Sequence, residues 1–81
     1  MKLPRNVSGQ ELIKSLRKLG YEVSRQKGSH IRLTCLNPKG QHHISIPNHD
    51  PLKIGTLSAI LQDIANFHHL SKEETINQLF G

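Results

Sequence analysis

Hydrophobic residues near the start of the chain recur at helical spacing, with polar residues between them. Ser8 followed three residues later by Glu11 is a capping-box pattern. Gly20 stands where a helix commonly ends in the left-handed conformation. These signals predict a first helix over residues 9–19. Its apolar stripe consists of Leu12, Ile13, Leu16 and Leu19.

The pattern then changes from helical spacing to alternation. Ile31, Leu33 and Cys35 alternate with polar side chains, which is typical of a strand with one buried face. The turn-forming sequence Asn37-Pro38-Lys39-Gly40 follows. Short connections between the apolar segments predict a three-stranded antiparallel meander. The predicted strands cover residues 21–26, 30–36 and 41–46.

The loop of the first hairpin decides which side chains are buried. A three-residue loop, Lys27-Gly28-Ser29, places Tyr21 and Val23 on the same face as the apolar residues of the second strand. A two-residue loop would set Val23 against that face, which is less compatible with one-sided burial. We therefore predict the three-residue loop. The open face, away from the helices, is then predicted to carry Ser24, Gln26, His30, Arg32 and Thr34.

Two helices are predicted after the sheet. Apolar residues at helical spacing indicate a helix over residues 56–68. Ser71 and Glu74 form a second capping box, which predicts a short helix over about residues 71–80.

The order α-β-β-β-α-α predicts an α+β fold in which the two long helices cover one face of the sheet. At 81 residues, the chain is expected to form one domain, with a core region over residues 8–69 and an additional C-terminal helix. The predicted core consists of Leu12, Leu16, Leu19, Val23, Ile31, Leu33, Ile44, Ile46, Leu57, Ile60, Leu61 and Ile64.

Positive charge is concentrated in the first half of the chain. The formal net charge is +5. Residues 1–40 contain nine Lys and Arg against two Glu, whereas residues 41–81 contain two Lys against four acidic residues. The halves therefore carry +7 and −2. This distribution favours an anionic partner that binds the first half.

The composition also indicates a compartment. Cys35 is the only cysteine, so no disulfide can form within the chain and a reducing compartment is expected. No apolar run follows Lys2 and Arg5 as in a signal peptide, and no segment approaches the length of a membrane span. A cytoplasmic protein without membrane contact is predicted.

Metal and nucleotide cofactors are not expected. The pairs His42-His43 and His68-His69 are adjacent, so their side chains diverge and cannot share one zinc ion. Two-metal chemistry requires converging carboxylates, and only Asp50 lies near the basic region. No glycine-rich nucleotide fingerprint opens a helix. A catalytic thiol at Cys35 is also not expected, since that residue lies mid-strand on the predicted core face.

The segment from Arg25 to His30 is the best candidate for chemistry. Arg25, Lys27 and Arg32 can bind a phosphate, and the turn at Gly28-Ser29 allows a close backbone approach. An imidazole such as that of His30 can transfer protons near neutral pH. In RNA the 2′-hydroxyl is the nucleophile, so cleavage needs only proton transfer and charge stabilisation. The alternative is that His30 is merely an exposed turn residue.

These residues give the chain a resemblance to the HicA family of mRNA interferase toxins, over about residues 8–66. The similarity is carried by Leu19-Gly20-Tyr21, the segment 25–30, Ile46-Pro47-Asn48-His49, Lys53, Gly55-Thr56-Leu57 and Ile60-Leu61. The resemblance implies a double-stranded-RNA-binding-domain-like fold, endoribonuclease activity on mRNA and a catalytic histidine at His30. It also implies a HicB-type antitoxin that covers this site. The C-terminal helix exceeds the minimal family pattern.

Two positions remain open. His49 is the first candidate for a second proton-transfer group, but it can equally be a loop residue that fixes the turn between Pro47 and Pro51. Lys53 can contact phosphate together with the start of the second long helix, or it can be a plain exposed lysine.

Two other classes of function compete with RNA cleavage. A non-catalytic double-stranded-RNA-binding module of the same topology carries a lysine cluster at the start of its last helix, whereas residues 55–69 contain no Lys or Arg. A purely protein-binding subunit would leave the +7 half without a role.

Overall fold

The computed structural model describes residues 3–4, 6–38 and 40–81. Its element order confirms the predicted α+β fold. The helices are α1 (Gly9–Leu16), α2 (Ile54–His68) and α3 (Lys72–Phe80), and a 3₁₀ turn (Arg17–Leu19) continues α1. The strands are β1 (Tyr21–Lys27), β2 (His30–Asn37) and β3 (Gly40–Pro47). No described helix has the length and apolar character needed to cross a membrane.

Local sequence signals account for the helix ends. The hydroxyl of Ser8 accepts a hydrogen bond from the backbone N–H of Glu11 at 3.0 Å. After the 3₁₀ turn, Gly20 adopts the left-handed conformation with φ of 92°. At α3, the predicted capping box between Ser71 and Glu74 is complete in both directions. The three predicted helices are thus confirmed.

The three strands form an antiparallel sheet in the order β1-β2-β3, as predicted. Asn37 pairs with Gly40 between β2 and β3. Lys39, within the predicted turn, lies outside the described residues. Ile31, Leu33 and Cys35 are buried beneath the helices, so the predicted inner face of β2 is confirmed.

The predicted three-residue hairpin loop is wrong. Lys27 pairs directly with His30, which leaves a two-residue turn, Gly28-Ser29. A β-bulge between Val23 and Arg25 offsets the shorter turn. Val23 therefore still pairs with Leu33, whereas Arg25 pairs with Arg32. The extra residue shifts the following side chains to the opposite face.

This bulge has two consequences for the predicted open face. Gln26 pairs with the buried residue Ile31, so its predicted position on the open face is wrong. Arg25 and Lys27, opposite Arg32 and His30, lie there instead.

The buried core agrees with ten of the twelve predicted positions, and two differ. Val23 is 45% exposed, because it lies on the edge strand β1 and lines an open groove with Arg17. Leu19, in the 3₁₀ turn, is only partly buried. The core also includes Val7, Ile13, Tyr21, Cys35, Leu52, Ala65, Ile76 and Leu79. The last two belong to α3, which is therefore an integral packing element.

Cys35 lies on the buried face of β2, as predicted. Its thiol is 2% exposed and donates to the carbonyl of Leu19 at 3.4 Å. Burial raises the pKa of the Cys35 thiol, which opposes thiolate chemistry.

Candidate functional site

Four of the predicted site residues meet on the open face of the sheet. Arg25, Lys27, His30 and Arg32 line a shallow depression together with Ser45 of β3. Two cross-strand pairs, Lys27 with His30 and Arg25 with Arg32, lie side by side. All four side chains are exposed. We refer to these four residues as the basic cluster; it places three cationic groups on the same depression as one imidazole.

The turn that precedes His30 is shaped by glycine. Gly28 has φ of +59°, in the left-handed region that favours glycine. No atom would lie within 4 Å of a Cβ at this position, so the requirement is the backbone conformation. The carbonyl of Ser29 accepts a hydrogen bond from the backbone N–H of Asn48 at 2.7 Å. The turn is therefore attached to the loop that follows β3.

That loop carries His49, and it is held from two sides. His30 pairs with Pro47 in the sheet. From the helical side, the backbone N–H of Gly9 donates to the carbonyl of His49 at 2.8 Å. The His49 side chain is exposed. The predicted second histidine therefore lies on a loop fixed beside the Ser29–His30 backbone.

Gly9 was not identified as important from the sequence. It is buried at the first position of α1, and a Cβ there would overlap the carbonyl oxygen of Pro47. The next residue, Gln10, donates from its side-chain amide to Asn48 Oδ1 at 3.2 Å. The start of α1 thus supports the loop from below, and only glycine permits this approach. Glycine as the first residue after a Ser cap is the only sequence signal.

Lys53 is not among the residues that line the basic cluster's depression. It is the exposed residue that precedes α2, and its carbonyl accepts the N–H of Leu57 at 2.9 Å. The side chain of Lys53 makes no capping hydrogen bond to the helix.

A second group of polar residues was missed by sequence reasoning. The buried Tyr21 hydroxyl lies 2.5 Å from His42 Nδ1 and 3.1 Å from His68 Nε2. His42 Nε2 lies 3.3 Å from Asp63 Oδ1, and the His42 ring stacks on Phe67 with centroids 4.7 Å apart. We call Tyr21, His42, Asp63 and His68 the tyrosine–histidine cluster. It joins β1 and β3 to the end of α2.

The acceptor groups determine the direction of these hydrogen bonds. The Asp63 carboxylate can only accept, so neutral His42 carries its proton on Nε2. Its Nδ1 then accepts from the Tyr21 hydroxyl, and Tyr21 accepts from His68 Nε2–H. Burial, with smaller contributions from Cys35 and Asp63, raises the pKa of Tyr21 well above its usual range. Burial, followed by the charge of His42, lowers the pKa of His68.

The histidine pairs diverge as the sequence suggested. His42 turns to the tyrosine–histidine cluster, whereas His43 contacts Thr34 on the open face. Across residues 3–4, 6–38 and 40–81, no three His, Cys, Asp or Glu side chains are arranged to hold a metal ion. The role of His42 and His68 had no sequence signal, because their partner Tyr21 is remote in the chain.

Residues 9–65 match the family model of the HicA toxin of bacterial toxin–antitoxin systems. The chain belongs to the HicA toxin family. The comparisons with curated proteins and with solved structures gave no match. The HicA match confirms the predicted family, and it supports a toxin role that pairs with an antitoxin.

The matched region contains all of the residues described above for the open face of the sheet. It begins at Gly9, includes the basic cluster and the loop with His49, and ends within α2. Helix α3 and His68 lie beyond it. The HicA region therefore coincides with the layer that positions His30, while the C-terminal helix adds to the core.

Proposed function

We propose that this HicA protein is a metal-independent endoribonuclease toxin that cleaves mRNA, with His30 as the general acid–base group. The observation that carries the proposal is the position of His30 among Arg25, Lys27 and Arg32 on an exposed sheet face. Family membership supplies the toxin role. The exposed setting suits a polymeric substrate.

The chemistry follows from these groups. The His30 imidazole takes the proton of the RNA 2′-hydroxyl, whose oxygen attacks the adjacent phosphorus. The bond from phosphorus to the 5′-oxygen breaks, which leaves a 2′,3′-cyclic phosphate and a 5′-hydroxyl. His49 is the candidate for donating the proton that the 5′-oxygen requires. DNA is spared because it lacks the 2′-hydroxyl.

The cations have a separate role. Arg25, Lys27 and Arg32 neutralise the negative charge that builds on the phosphoryl oxygens in the transition state. Gly28 and Ser29 allow the backbone turn to approach the same phosphate. We further propose that the HicB-type antitoxin covers this surface and so blocks access of RNA.

The competing function is a non-catalytic double-stranded RNA-binding module. It predicts a lysine cluster at the start of the helix that follows the sheet, yet α2 contains no Lys or Arg. The cationic side chains of the open sheet face instead lie beside a histidine, which favours cleavage over simple binding.

The deciding experiment follows RNA integrity with purified protein and its His30→Ala variant. Because His30 is proposed to transfer a proton, the substitution should slow cleavage by roughly 10²–10⁴-fold. Its exposed position predicts little change in the unfolding midpoint. His69→Asn is the matched control, since His69 is an exposed histidine with φ of 57°, a conformation that Asn tolerates.

Chelator is a second control and should leave the rate unchanged. A folded His30→Ala protein that degrades RNA at the wild-type rate would overturn the proposal. In that case, the turn from Gly28 to His30 would have a structural role only.

A further inference from the structure

A row of polar side chains crosses all three strands beside the basic cluster. The Thr34 hydroxyl lies 2.9 Å from Ser24 Oγ on β1 and 2.9 Å from His43 Nδ1 on β3. Ser24 Oγ in turn lies 3.3 Å from the carbonyl oxygen of Arg32. This row lies on the same open face as His30, and the proposed cleavage reaction does not use it.

The direction of these hydrogen bonds can be worked out from the donors. A carbonyl only accepts, so Ser24 gives its single hydroxyl hydrogen to Arg32. Ser24 must then accept from Thr34, which has no further hydrogen to give. Thr34 therefore accepts from His43, which places the proton of neutral His43 on Nδ1. Its Nε2 is left as an acceptor on an exposed ring, without a hydrogen-bond partner among the described residues.

His43 is too far along the sheet to act on the phosphate held by His30. It pairs with Thr34, whereas His30 pairs with Pro47. Four residues of strand separate these positions, which corresponds to about 13 Å. Arg32, Arg25 and Ser45 occupy the intervening row. The open face thus has cations at its centre, the imidazole of His30 at one end and that of His43 at the other.

The face changes character at the row of His43. Glu22 pairs with Thr34 at the β1 end of that row, Leu36 pairs with Gln41 beyond it, and all three side chains are exposed. A carboxylate and an apolar side chain offer nothing to a phosphate backbone. The region suited to a polyanion therefore ends at the row of Ser24, Thr34 and His43.

We propose that the open face is a track for single-stranded RNA that runs from His30 to His43. His43 Nε2 accepts a hydrogen bond from the amino group of a base near, but not at, the scissile nucleotide. The position of the scissile nucleotide beside His30 rests on the proposed function. The binding of RNA along the open face does not depend on it. Unpaired bases can turn their edges to protein side chains, whereas duplex RNA hides them in a narrow groove.

The test measures binding in the His30→Ala background, where cleavage does not interfere. Two labelled oligomers of roughly 10 nucleotides are compared by fluorescence anisotropy, within the usual site size for such proteins. One is oligoadenylate, and the other is the same oligomer of purine riboside, which lacks the amino group. Protein with His43 should bind oligoadenylate roughly 3- to 10-fold more tightly, the value of one hydrogen bond.

Three variants sharpen the comparison. His43→Ala should abolish the preference, Thr34→Val should reduce it because the Nδ1 proton loses its acceptor, and His69→Asn should preserve it. Equal affinity of the parent for both oligomers, or an equal loss for both with His43→Ala, would overturn the assignment. Tighter binding of an RNA duplex that is insensitive to His43→Ala would also overturn it.

The outcome is independent of the catalytic proposal. If His30→Ala still cleaves RNA, the proposed role of His30 is wrong. The preference for oligoadenylate can then still be measured with phosphorothioate-linked oligomers, which are degraded slowly. If His30→Ala is inactive but the preference is absent, the track is wrong and the catalytic assignment stands.

Discussion

Gly9 shows how a single absent side chain positions the site. A Cβ at this residue would overlap the Pro47 carbonyl, so α1 and the loop bearing His49 would have to separate. We expect Gly9→Ala to lower the free energy of unfolding by about 1–3 kcal/mol, as overpacking does, and to reduce RNA cleavage. Urea denaturation and a cleavage assay measure both effects.

Gly55→Ala provides the matched control. Gly55 lies in α2, and a Cβ there would meet nothing within 4 Å. The same substitution should therefore stabilise the helix by roughly 0.5–1 kcal/mol. Equal effects at the two glycines would remove the argument that Gly9 supports the loop.

His68 makes stability depend on pH. Burial and the charge of His42 lower the pKa of His68 in the folded chain, so the unfolded chain binds the proton more readily. The free energy of unfolding has its full value above the ordinary histidine pKa of about 6.5. It decreases as the pH falls from there through the lowered pKa of His68 in the folded chain. Urea unfolding at a series of pH values should show the decrease.

Two substitutions test the origin of this pH dependence. His68→Gln should flatten the decrease below about pH 6.5, because the titrating group is removed. His69→Asn, at the exposed neighbouring residue, should leave the decrease unchanged. A profile that is the same in wild type and His68→Gln would place the titration elsewhere.

At the scale of elements, β2 determines which face of the sheet is buried. Leu33 is fully buried, whereas Leu36 on the same strand is 68% exposed. Leu33→Ala should therefore cost about 2–5 kcal/mol of unfolding free energy. Leu36→Ala should cost less than about 0.5 kcal/mol. Chemical denaturation of both variants tests the register, and similar losses at the two sites would contradict it.

The same elements show what the sequence could predict. Ser8, Gly20, Ser71 and Glu74 marked helix ends correctly, because caps are interactions within a few residues. The hairpin loop was wrong because the bulge at β1 depends on pairing with β2, and nothing in the adjacent sequence marks it.

The predictions of the core and of the site were incomplete for the same reason, because both depend on contacts between segments that are distant in the sequence. The exposure of Val23 depends on how far the helices extend over an edge strand, which no local pattern encodes. His30 and Arg32 were predicted on the open face, and the bulge adds Arg25 and Lys27. Helix α3 was predicted from its cap, but the burial of Ile76 and Leu79 was not.

At the scale of the whole molecule, charge should govern association with the antitoxin. Lys2, Arg5 and Lys39 contribute to the basic half but lie outside the described residues. The open face contributes Arg25, Lys27 and Arg32. If an acidic antitoxin surface covers this face, its association rate should fall as ionic strength rises. Stopped-flow measurements at several salt concentrations give the slope.

Two lysines distinguish the binding face. Lys27→Gln should make the association rate less dependent on salt, because a charge in the basic cluster is lost. Lys14→Gln, at an exposed residue of α1, should have a much smaller effect. An antitoxin footprint confined to α3, or a rate that does not respond to salt, would contradict the proposed interface.

The hydrogen bond between Asn48 and Ser29 has a consequence for protein synthesis. A ribosome completes residues 25–32 before it reaches the β3 strand and the loop that fixes the turn. A nascent chain that stops after Pro38 thus contains His30 and its cations without the loop that supports them. We expect such prematurely terminated products to be harmless to the cell that makes them.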